Sequence, residues 1–487
     1  MNSQSPVKDT MNVGWAQADL TPSEPVLIAG QFHSRVSEGV ADPLTATALA
    51  LDAGDDQAVL VTCDFVTVPD AIRDAVRARL AGQAGGPDTA KVVLCATHTH
   101  TGPEIRPPAT GGAHVSGNPG IDLPAMPVQE YLDFAVQRIA DAVERAWAGR
   151  KPGRIAFGLG QAVIGRNRRW VDVHGRSTMY GNTSKPTFSH IEGYEDHSLG
   201  VLATRDEQGR LTGLAVNVPC TSQVSEHEYR LSADYWFETK RELRRRLGEG
   251  ISVLPLCSAA GDQSPHLLYD KAAANRMLEL AGRTEREEIA LRIAAAVDEV
   301  LAILADRTDA AGPMRHHVET LQLPMTVATE EQLRNAEAEA VRLEAVYEEQ
   351  RRLLEAEPRR REQPRWYVEI TKASRRAQWF RGAIERARRQ AAGETWPAEI
   401  HVIRLGDIAI ATNPFEYYLD FGIYIKARSP AAQTFLAQVA GGGTYVPSPR
   451  SVAGGGYGSV PSSNPVGPEG GRMLAERTVE VMRRLWS

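Results

Sequence analysis

The 487-residue sequence lacks the features that define secreted, disulfide-bonded or membrane-spanning proteins. It has four cysteines, far apart and each in or beside an apolar segment, which is typical of a reducing compartment where buried thiols behave as small hydrophobes: Cys63, Cys95, Cys220 and Cys257. Residues 1–12 are polar, unlike a secretory signal, and no run approaches the ~20 apolar residues that span a bilayer. We therefore expect a cytoplasmic protein without stable membrane insertion.

An excess of positive charge is also missing. The sequence carries 55 Lys and Arg against 61 Asp and Glu, a net charge of -6, and no basic patch of the kind that follows a phosphate backbone. This argues against a nucleic-acid partner. Hydrophobic residues make up 42% of the chain, which is ample for a large buried core.

Outside one central region, strand-like and helix-like segments alternate. Short β-branched apolar runs predict strands at 58–63, 92–96, 199–203, 213–218 and 251–257. Apolar residues at helical spacing predict helices at 71–80, 129–147, 235–247 and 285–304. The pattern indicates an α/β fold in which helices flank a large mixed sheet.

The central region has a different composition. Residues 327–397 are rich in Glu, Arg, Ala and Leu and are interrupted near Pro358, which predicts two long helices forming a hairpin. We expect this helical hairpin to be an insertion between the two parts of a catalytic domain, 12–326 and 398–487. It is a surface insertion, a lid, or a contact through which the chain forms a homo-oligomer.

The sharpest local motif is Thr-His-Thr-His-Thr-Gly-Pro at 97–103, directly after a predicted buried strand. In an extended segment, alternation sends His98 and His100 to the same side. Two imidazoles at a strand end suit a metal site, in which a neutral imidazole binds zinc and its neighbour donates to a developing oxyanion. Two hydrogen-bonded structural histidines are the alternative for an isolated motif of this kind.

Several motifs together resemble the neutral/alkaline ceramidases. Residues 97–103 resemble that family's T-H-T-H-[ST]-G-P segment, and Val-Gly-Trp-Ala at 13–16 with Asp-Leu-Thr-Pro at 19–22 is similar to its amino-terminal motif. Ala-Gly-Asp-Gln-Ser-Pro at 260–265, Asn-Pro-Phe-Glu at 413–416 and the loop tyrosines Tyr445 and Tyr457 also match in consistent order. The resemblance runs from about residue 12 to 487 and implies the catalytic domain without the carboxyl-terminal β-sandwich domain that the family carries.

The resemblance implies a zinc site. The first histidine of T-H-T-H, the glutamate and a loop tyrosine correspond to His98, Glu416 and Tyr445, while the family's second histidine ligand is replaced by Cys220. A thiolate is an acceptable zinc ligand, although it makes the metal less Lewis-acidic. Three possibilities stay open: Cys220 binds the metal, His227 substitutes for it, or the site has three protein ligands or none.

The same resemblance suggests catalytic side chains. His100 and Tyr457 are expected to polarise the substrate carbonyl, and Arg168, flanked by Arg166 and Arg169, to hold a substrate oxygen. Residues 262–264 lie on a turn that presents backbone amides to an anion, and Ser264 is a candidate nucleophile. No His and Asp at recognisable spacing support a serine triad.

We therefore expect a zinc-dependent hydrolase that cleaves an amide or ester bond of a small soluble acyl substrate with metal-activated water. Ceramide is the alternative substrate. Two other classes compete with this interpretation. A metal-dependent amidohydrolase barrel would need later metal-binding residues at successive strand ends, which are not apparent. A non-catalytic ceramidase-like protein would have lost its metal with the change at Cys220.

Overall fold

A computed structural model describes residues 11–106, 121–305, 307 and 312–487 of the chain. Eight strands form the larger sheet, namely β1 Met11–Asp19, β2 Thr45–Asp52, β3 Gln57–Cys63, β4 Val92–Ala96, β5 Lys151–Gln161, β6 Ser198–Asp206, β7 Leu211–Val218 and β8 Ser252–Cys257. Their order is β8-β7-β6-β5-β1-β2-β3-β4. The pairs β3/β4 and β7/β8 are parallel and the other neighbours antiparallel. The sheet is therefore mixed, as predicted.

A second sheet has four strands: β9 Met314–Pro324, β10 Thr395–Leu405, β11 Ile408–Thr412 and β12 Gln433–Ala437. It has the order β9-β10-β11-β12, with only β11/β12 parallel. Shorter strands of two to four residues lie in the connections: Leu27–Ile28, Arg35–Val36, Arg166–Asn167, Arg169–Asp172, Ser177–Met179, Phe188–Ile191, Gln263–Ser264, Glu416–Tyr417 and Tyr445–Val446.

Ten α-helices occur in the described ranges: α1 Asp70–Leu80, α2 Val128–Ala148, α3 Tyr235–Leu247, α4 Lys271–Ala281, α5 Glu285–Ile303, α6 Glu330–Ala356, α7 Val368–Ala391, α8 Leu419–Arg428, α9 Pro449–Gly454 and α10 Pro468–Trp486. None of them is long and apolar enough to cross a bilayer.

The two sheets stack face to face between two layers of helices. Because strand side chains alternate between faces, each sheet packs on the other sheet with one face and on helices with its other face. Along β2, Ala48 and Ala50 pack against α1 and α2, whereas Leu49 and Leu51 point into the space between the sheets. Residues of α3 and α5 cover the same outer face beside β6 and β7. The outer face of the smaller sheet is covered by α8 and α10. The order of layers is thus helices, large sheet, small sheet and helices.

Helices α6 and α7 form the predicted hairpin, with a short 3₁₀ helix at Pro358–Glu362 between them. Thr329 caps α6 through a capping box with Gln332, which explains where this helix begins. The hairpin packs on the body of the protein. The side chain of Thr371 accepts a hydrogen bond from Ser34 N at 3.0 Å, and Arg386 Nη2 donates to Pro461 O at 2.9 Å.

The predicted α/β class, large mixed sheet and helical hairpin are confirmed. The four cysteines are free and buried, as expected from their apolar surroundings. The domain boundaries at 326/327 and 397/398 and the homo-oligomer stay predictions.

Candidate active site

Loops that follow separate strands meet at one cavity. His98 and His100 follow β4, and Glu416 follows β11 in a short strand that pairs in parallel with the strand of Tyr445. This pairing sets Glu416 directly beside Tyr445. All four side chains, with that of Tyr457, line the same cavity. Two backbone segments approach each other closely here, since a side chain at Gly261 would collide with the backbone of Glu416.

His98 has a strained backbone and a fixed ring. Its φ is +62°, so it is left-handed rather than extended, and its position beside His100 does not come from strand alternation. Its Nδ1 lies 2.6 Å from the Val66 carbonyl oxygen, which can only accept a hydrogen bond. Nδ1 therefore carries a hydrogen, and Nε2 is the nitrogen left to bind a ligand. That Nε2 lies 3.4 Å from Glu416 Oε2.

His100 lies beside His98, with 11% of its side chain exposed. Their Nε2 atoms are 3.4 Å apart, and His100 Nδ1 lies 3.3 Å from Gln223 Nε2. Because the glutamine amide nitrogen can only donate, Nδ1 of His100 accepts and Nε2 carries the hydrogen of the neutral ring. Burial and the neighbouring His98 lower the pKa of His100 to about 3, so the ring is neutral at physiological pH.

Arg168 connects the two sides of the site. Its Nη1 donates to Gln223 Oε1 at 3.0 Å, and its Nη2 lies 3.3 Å from Tyr445 Oη and 3.7 Å from Glu416 Oε2. Burial alone would lower its pKa, but Tyr180, Tyr445 and Glu416 raise it well above the usual value. Burial also raises the pKa of Tyr445, which keeps its phenol neutral. The site therefore combines a fixed cation, a carboxylate and neutral donors.

The two neighbouring arginines have other roles. Arg169 forms a buried ion pair with Glu192 at 2.9 Å and donates to the carbonyls of Gly455 and Tyr457, which holds the tyrosine loop in place. Arg166 is partly exposed, 3.7 Å from Glu195. Of the three arginines at 166–169, Arg168 is thus the one that contacts Glu416 and Tyr445.

The structure does not bring Cys220 or His227 to His98. The thiol of Cys220 is fully buried in the apolar cluster between the large sheet and α3, and burial raises its pKa well above the usual value. The next residue, Thr221, points toward the site instead and donates to Gln223 Oε1 at 2.5 Å. The His227 side chain is 80% exposed. A fourth metal ligand at Cys220 or His227 therefore stays a prediction that these placements do not favour.

Ser264 lies at the edge of the same network without a base. Its Oγ accepts a hydrogen bond from the backbone N–H of His266 at 3.3 Å, and it bonds the phenol of Tyr180. No imidazole hydrogen-bonds this hydroxyl in the described parts of the chain. The surroundings of Ser264 thus lack the base that a nucleophilic serine requires.

Sequence reasoning missed several residues of the site. Gln223 bridges His100 and Arg168, and Glu226 accepts from the Gln223 amide at 3.0 Å. Gln223 stands three residues after Cys220, so its position in the matched segment was the available signal. Arg106 and Arg375 also line the cavity. No motif singled them out, because Arg375 comes from α7 in the charged hairpin.

Side chains of the kinds that bind divalent ions meet in this cavity. The imidazole nitrogen of His98 and the carboxylate of Glu416 converge, with the phenol of Tyr445 beside them. Catalytic zinc sites commonly use three protein ligands and leave a position for water. No third His, Cys, Asp or Glu side chain completes a metal-binding group among the residues that the structure describes.

The fold is that of the neutral ceramidases. The chain superimposes on neutral ceramidase from Pseudomonas aeruginosa with a TM-score of 0.67 and 18% identity, covering 98% of this chain and 74% of that one. A second structure, a ceramidase complexed with C2, gives a TM-score of 0.67 at 16% identity and covers 98% and 75%. These findings confirm the fold that the resemblance of the motifs implied. No protein-family model and no curated protein sequence matches the chain.

Proposed function

We propose that the protein is a hydrolase that cleaves an amide or ester bond of a small acyl substrate with zinc-activated water. The observation that carries this proposal is the convergence of His98 Nε2 on Glu416 Oε2 at 3.4 Å, in a cavity that Tyr445 also lines. Arg168 Nη2 lies 3.7 Å from the same carboxylate oxygen. The similarity in fold to solved neutral ceramidases supports it. In this proposal His98, Glu416 and Tyr445 hold the ion. When bound, zinc lowers the pKa of a water toward ~7 and supplies a nucleophile.

The remaining side chains orient the substrate and stabilise developing charge. His100 carries a hydrogen on the Nε2 that faces His98, so it is a donor for an oxyanion formed there. Tyr457 packs against Tyr445 with ring centroids 5.5 Å apart, and burial raises its pKa, so its phenol is also a neutral donor. Arg168 supplies a fixed positive charge. Gln223 holds His100 and Arg168 through its two amide atoms.

The lining of the cavity favours a polar acyl substrate over a long-chain lipid amide. The guanidinium groups of Arg106 and Arg375 line the same cavity as His98. Glu104 neutralises Arg106, but a buried cation without a hydrogen-bonded carboxylate, as at Arg375, is costly beside an alkyl chain. We therefore favour a small soluble amide over ceramide, which remains the alternative substrate.

Metal analysis and kinetics test the proposal together. We expect about one zinc per chain in protein purified without added metal, and chelator-sensitive release of amine from short N-acyl amides that zinc restores. His98→Ala and Glu416→Ala remove one ligand each, so both variants are expected to lose bound zinc and turnover.

The exposed histidine variant His190→Ala serves as the control for the substitution itself. Full activity in either ligand variant contradicts the proposed mechanism. A wild-type protein without zinc and inert toward the whole panel contradicts the proposed activity and favours a non-catalytic protein with this fold.

A further inference from the structure

One arginine of the helical hairpin reaches the wall of the cavity. Arg375 on α7 is 2% exposed and lines the cavity together with His98 and Glu416. Its Nη1 donates to the carbonyl of Gln31 at 3.1 Å, on a loop that also lines the cavity. The hairpin therefore contributes a charged group to the site rather than only covering it.

Two of the three guanidinium nitrogens of Arg375 have no hydrogen-bond partner among the described residues. Within the described residues, Nε and Nη2 of Arg375 make no hydrogen bond although both atoms are buried. The closest carboxylate oxygen is Glu104 Oε2, 3.8 Å from Nη2, which exceeds hydrogen-bond length. Glu104 is already engaged by Arg106, whose Nε donates to it at 2.7 Å. A buried donor pair of this kind is expensive unless a ligand satisfies it.

The unpartnered edge has the geometry of a carboxylate fork. Nε and Nη2 lie on one edge of the planar guanidinium and donate in parallel. The same edge binds a carboxylate elsewhere in this protein, as in Arg365 with Glu38 at 2.8 and 2.9 Å and Arg477 with Glu319 at 2.8 and 2.9 Å. Arg375 is therefore equipped for a bidentate carboxylate rather than for a single carbonyl oxygen.

The charges around Arg375 also favour an anion. Arg106 and Glu104 neutralise each other, so Arg375 is a surplus cation. Arg35, close by, donates to backbone carbonyls, among them Glu226 O at 2.7 Å and Glu228 O at 2.8 Å. Burial lowers the pKa of Arg375 to about 10, so it still carries its charge at neutral pH. This wall of the cavity thus has more positive than negative charge.

We propose that Arg375 binds a carboxylate of the substrate and that the enzyme acts on N-acyl compounds bearing a free carboxylate, such as N-acyl amino acids. The proposal rests on the proposed function, since it places the scissile bond at His98 and Glu416 while the acid group lies against α7. The hairpin is then a specificity element of the active site.

Two matched compounds test this substrate class. N-hexanoyl-L-phenylalanine and N-hexanoyl-2-phenylethylamine differ only in the carboxylate. For the wild type we expect kcat/KM on the acid to exceed that on the neutral amide by on the order of 10- to 100-fold, the usual contribution of hydrogen bonds to a charged group. Arg375→Met should remove this preference mainly by raising KM for the acid. Arg375→Lys, which keeps the charge without the fork, should retain part of it.

A control and a binding measurement separate this inference from the proposed function. Arg388→Met removes an exposed arginine of the same helix and should leave both substrates unaffected. Calorimetric binding of N-hexanoyl-L-phenylalanine to His98→Ala, with and without Arg375→Met, reports on the carboxylate subsite without turnover. Circular dichroism verifies that each variant is folded.

The outcomes are distinct. Binding that depends on Arg375 in a protein that hydrolyses neither compound supports the subsite and contradicts the hydrolase. Hydrolysis of both compounds at equal rates, unchanged by Arg375→Met, overturns the subsite and leaves the hydrolase intact. Absence of both hydrolysis and Arg375-dependent binding overturns both.

Discussion

Two pairs of largely buried histidines in this molecule have the same kinds of neighbouring residue but are bonded to them differently. His98 and His100 have ring centroids 5.0 Å apart beside Glu416. His316 and His401, on β9 and β10, have centroids 5.1 Å apart beside Glu399. Each pair also has an arginine next to its carboxylate. The kinds of residue present therefore do not by themselves distinguish an active site from a structural network.

In the second pair, each of the four ring nitrogens has a hydrogen-bond partner within 3.0 Å. His316 Nδ1 lies 2.9 Å from Gln57 O and its Nε2 2.9 Å from His401 Nδ1, and His401 Nε2 lies 3.0 Å from Glu399 Oε1. In the first pair, His98 Nε2 is 3.4 Å from both His100 and Glu416 and opens on a cavity. The longer separations and the cavity leave room for a ligand, whereas the closed network leaves none.

The largest expected effect separates the two pairs by catalysis. Replacing His100 with alanine removes the donor that faces His98, so we expect kcat to fall by about 10²- to 10³-fold. The same change at His401 should leave the kcat of the folded protein unaltered. Steady-state kinetics on a substrate cleaved by the wild type measures both. An equal loss in the two variants contradicts the distinction drawn between the pairs.

The reverse contrast is expected in stability. His401→Ala leaves the bonding atoms of His316 and Glu399 unsatisfied, so the free energy of unfolding should fall by about 2–3 kcal/mol. His317→Ala is the control, because this histidine follows His316 on strand β9 but is partly exposed near Arg484. Urea unfolding measures the difference. A stable His401→Ala protein with reduced kcat would assign a function to the second network.

Much of the fold was predictable because it depends on local patterns. Apolar β-branched runs placed β3, β4 and β8, and helical spacing placed α2 and α5, since burial on one or both faces imposes these periods. The order of the short motifs, which is consistent with that of the resembled family, also pointed to residues around the cavity, including His98, Glu416 and Tyr445. These motifs follow strand ends, where the sheet fixes their position.

The remainder depends on features that no local pattern encodes. Cys220 lies just past β7, where strand alternation no longer predicts the direction of a side chain. Its thiol faces the core, while Thr221 faces the site. Arg375 becomes part of the site only because α7 docks on the loop of Gln31. Its sequence surroundings are those of any charged helix.

A comparison of Arg375 with Arg77 tests the same contrast, between an open site and a satisfied network, through protein stability. Arg77 is satisfied, with donors to Glu399 at 2.9 and 3.0 Å and to Val92 O at 2.9 Å. Arg375 has two buried donors without partners in the described part of the chain. We therefore expect Arg375→Met to raise the free energy of unfolding by about 1–2 kcal/mol and Arg77→Met to lower it. Thermal unfolding of ligand-free protein measures both shifts, and a destabilised Arg375→Met protein contradicts the account of a donor kept for a ligand.

The smallest expected effect is a difference in acid sensitivity. Burial and the nearby His401 lower the pKa of His316 to about 3, against about 6.5 in an unfolded chain. Between these two pH values, the unfolded state thus binds a proton at His316 that the folded state does not bind. The stability that His316 contributes is complete above pH 6.5 and is lost as the pH falls toward 3. The slope reaches about 1.4 kcal/mol per pH unit.

Substitution by glutamine, which cannot titrate, isolates this contribution from those of the other histidines. The difference in unfolding free energy between wild type and His316→Gln should therefore shrink as the pH is lowered from 7 to 5, as urea unfolding at each pH will measure. A difference that stays constant with pH means that His316 accepts its proton in the folded protein. The network would then be one that opens to water, and its distinction from the His98 and His100 pair would rest on the cavity alone.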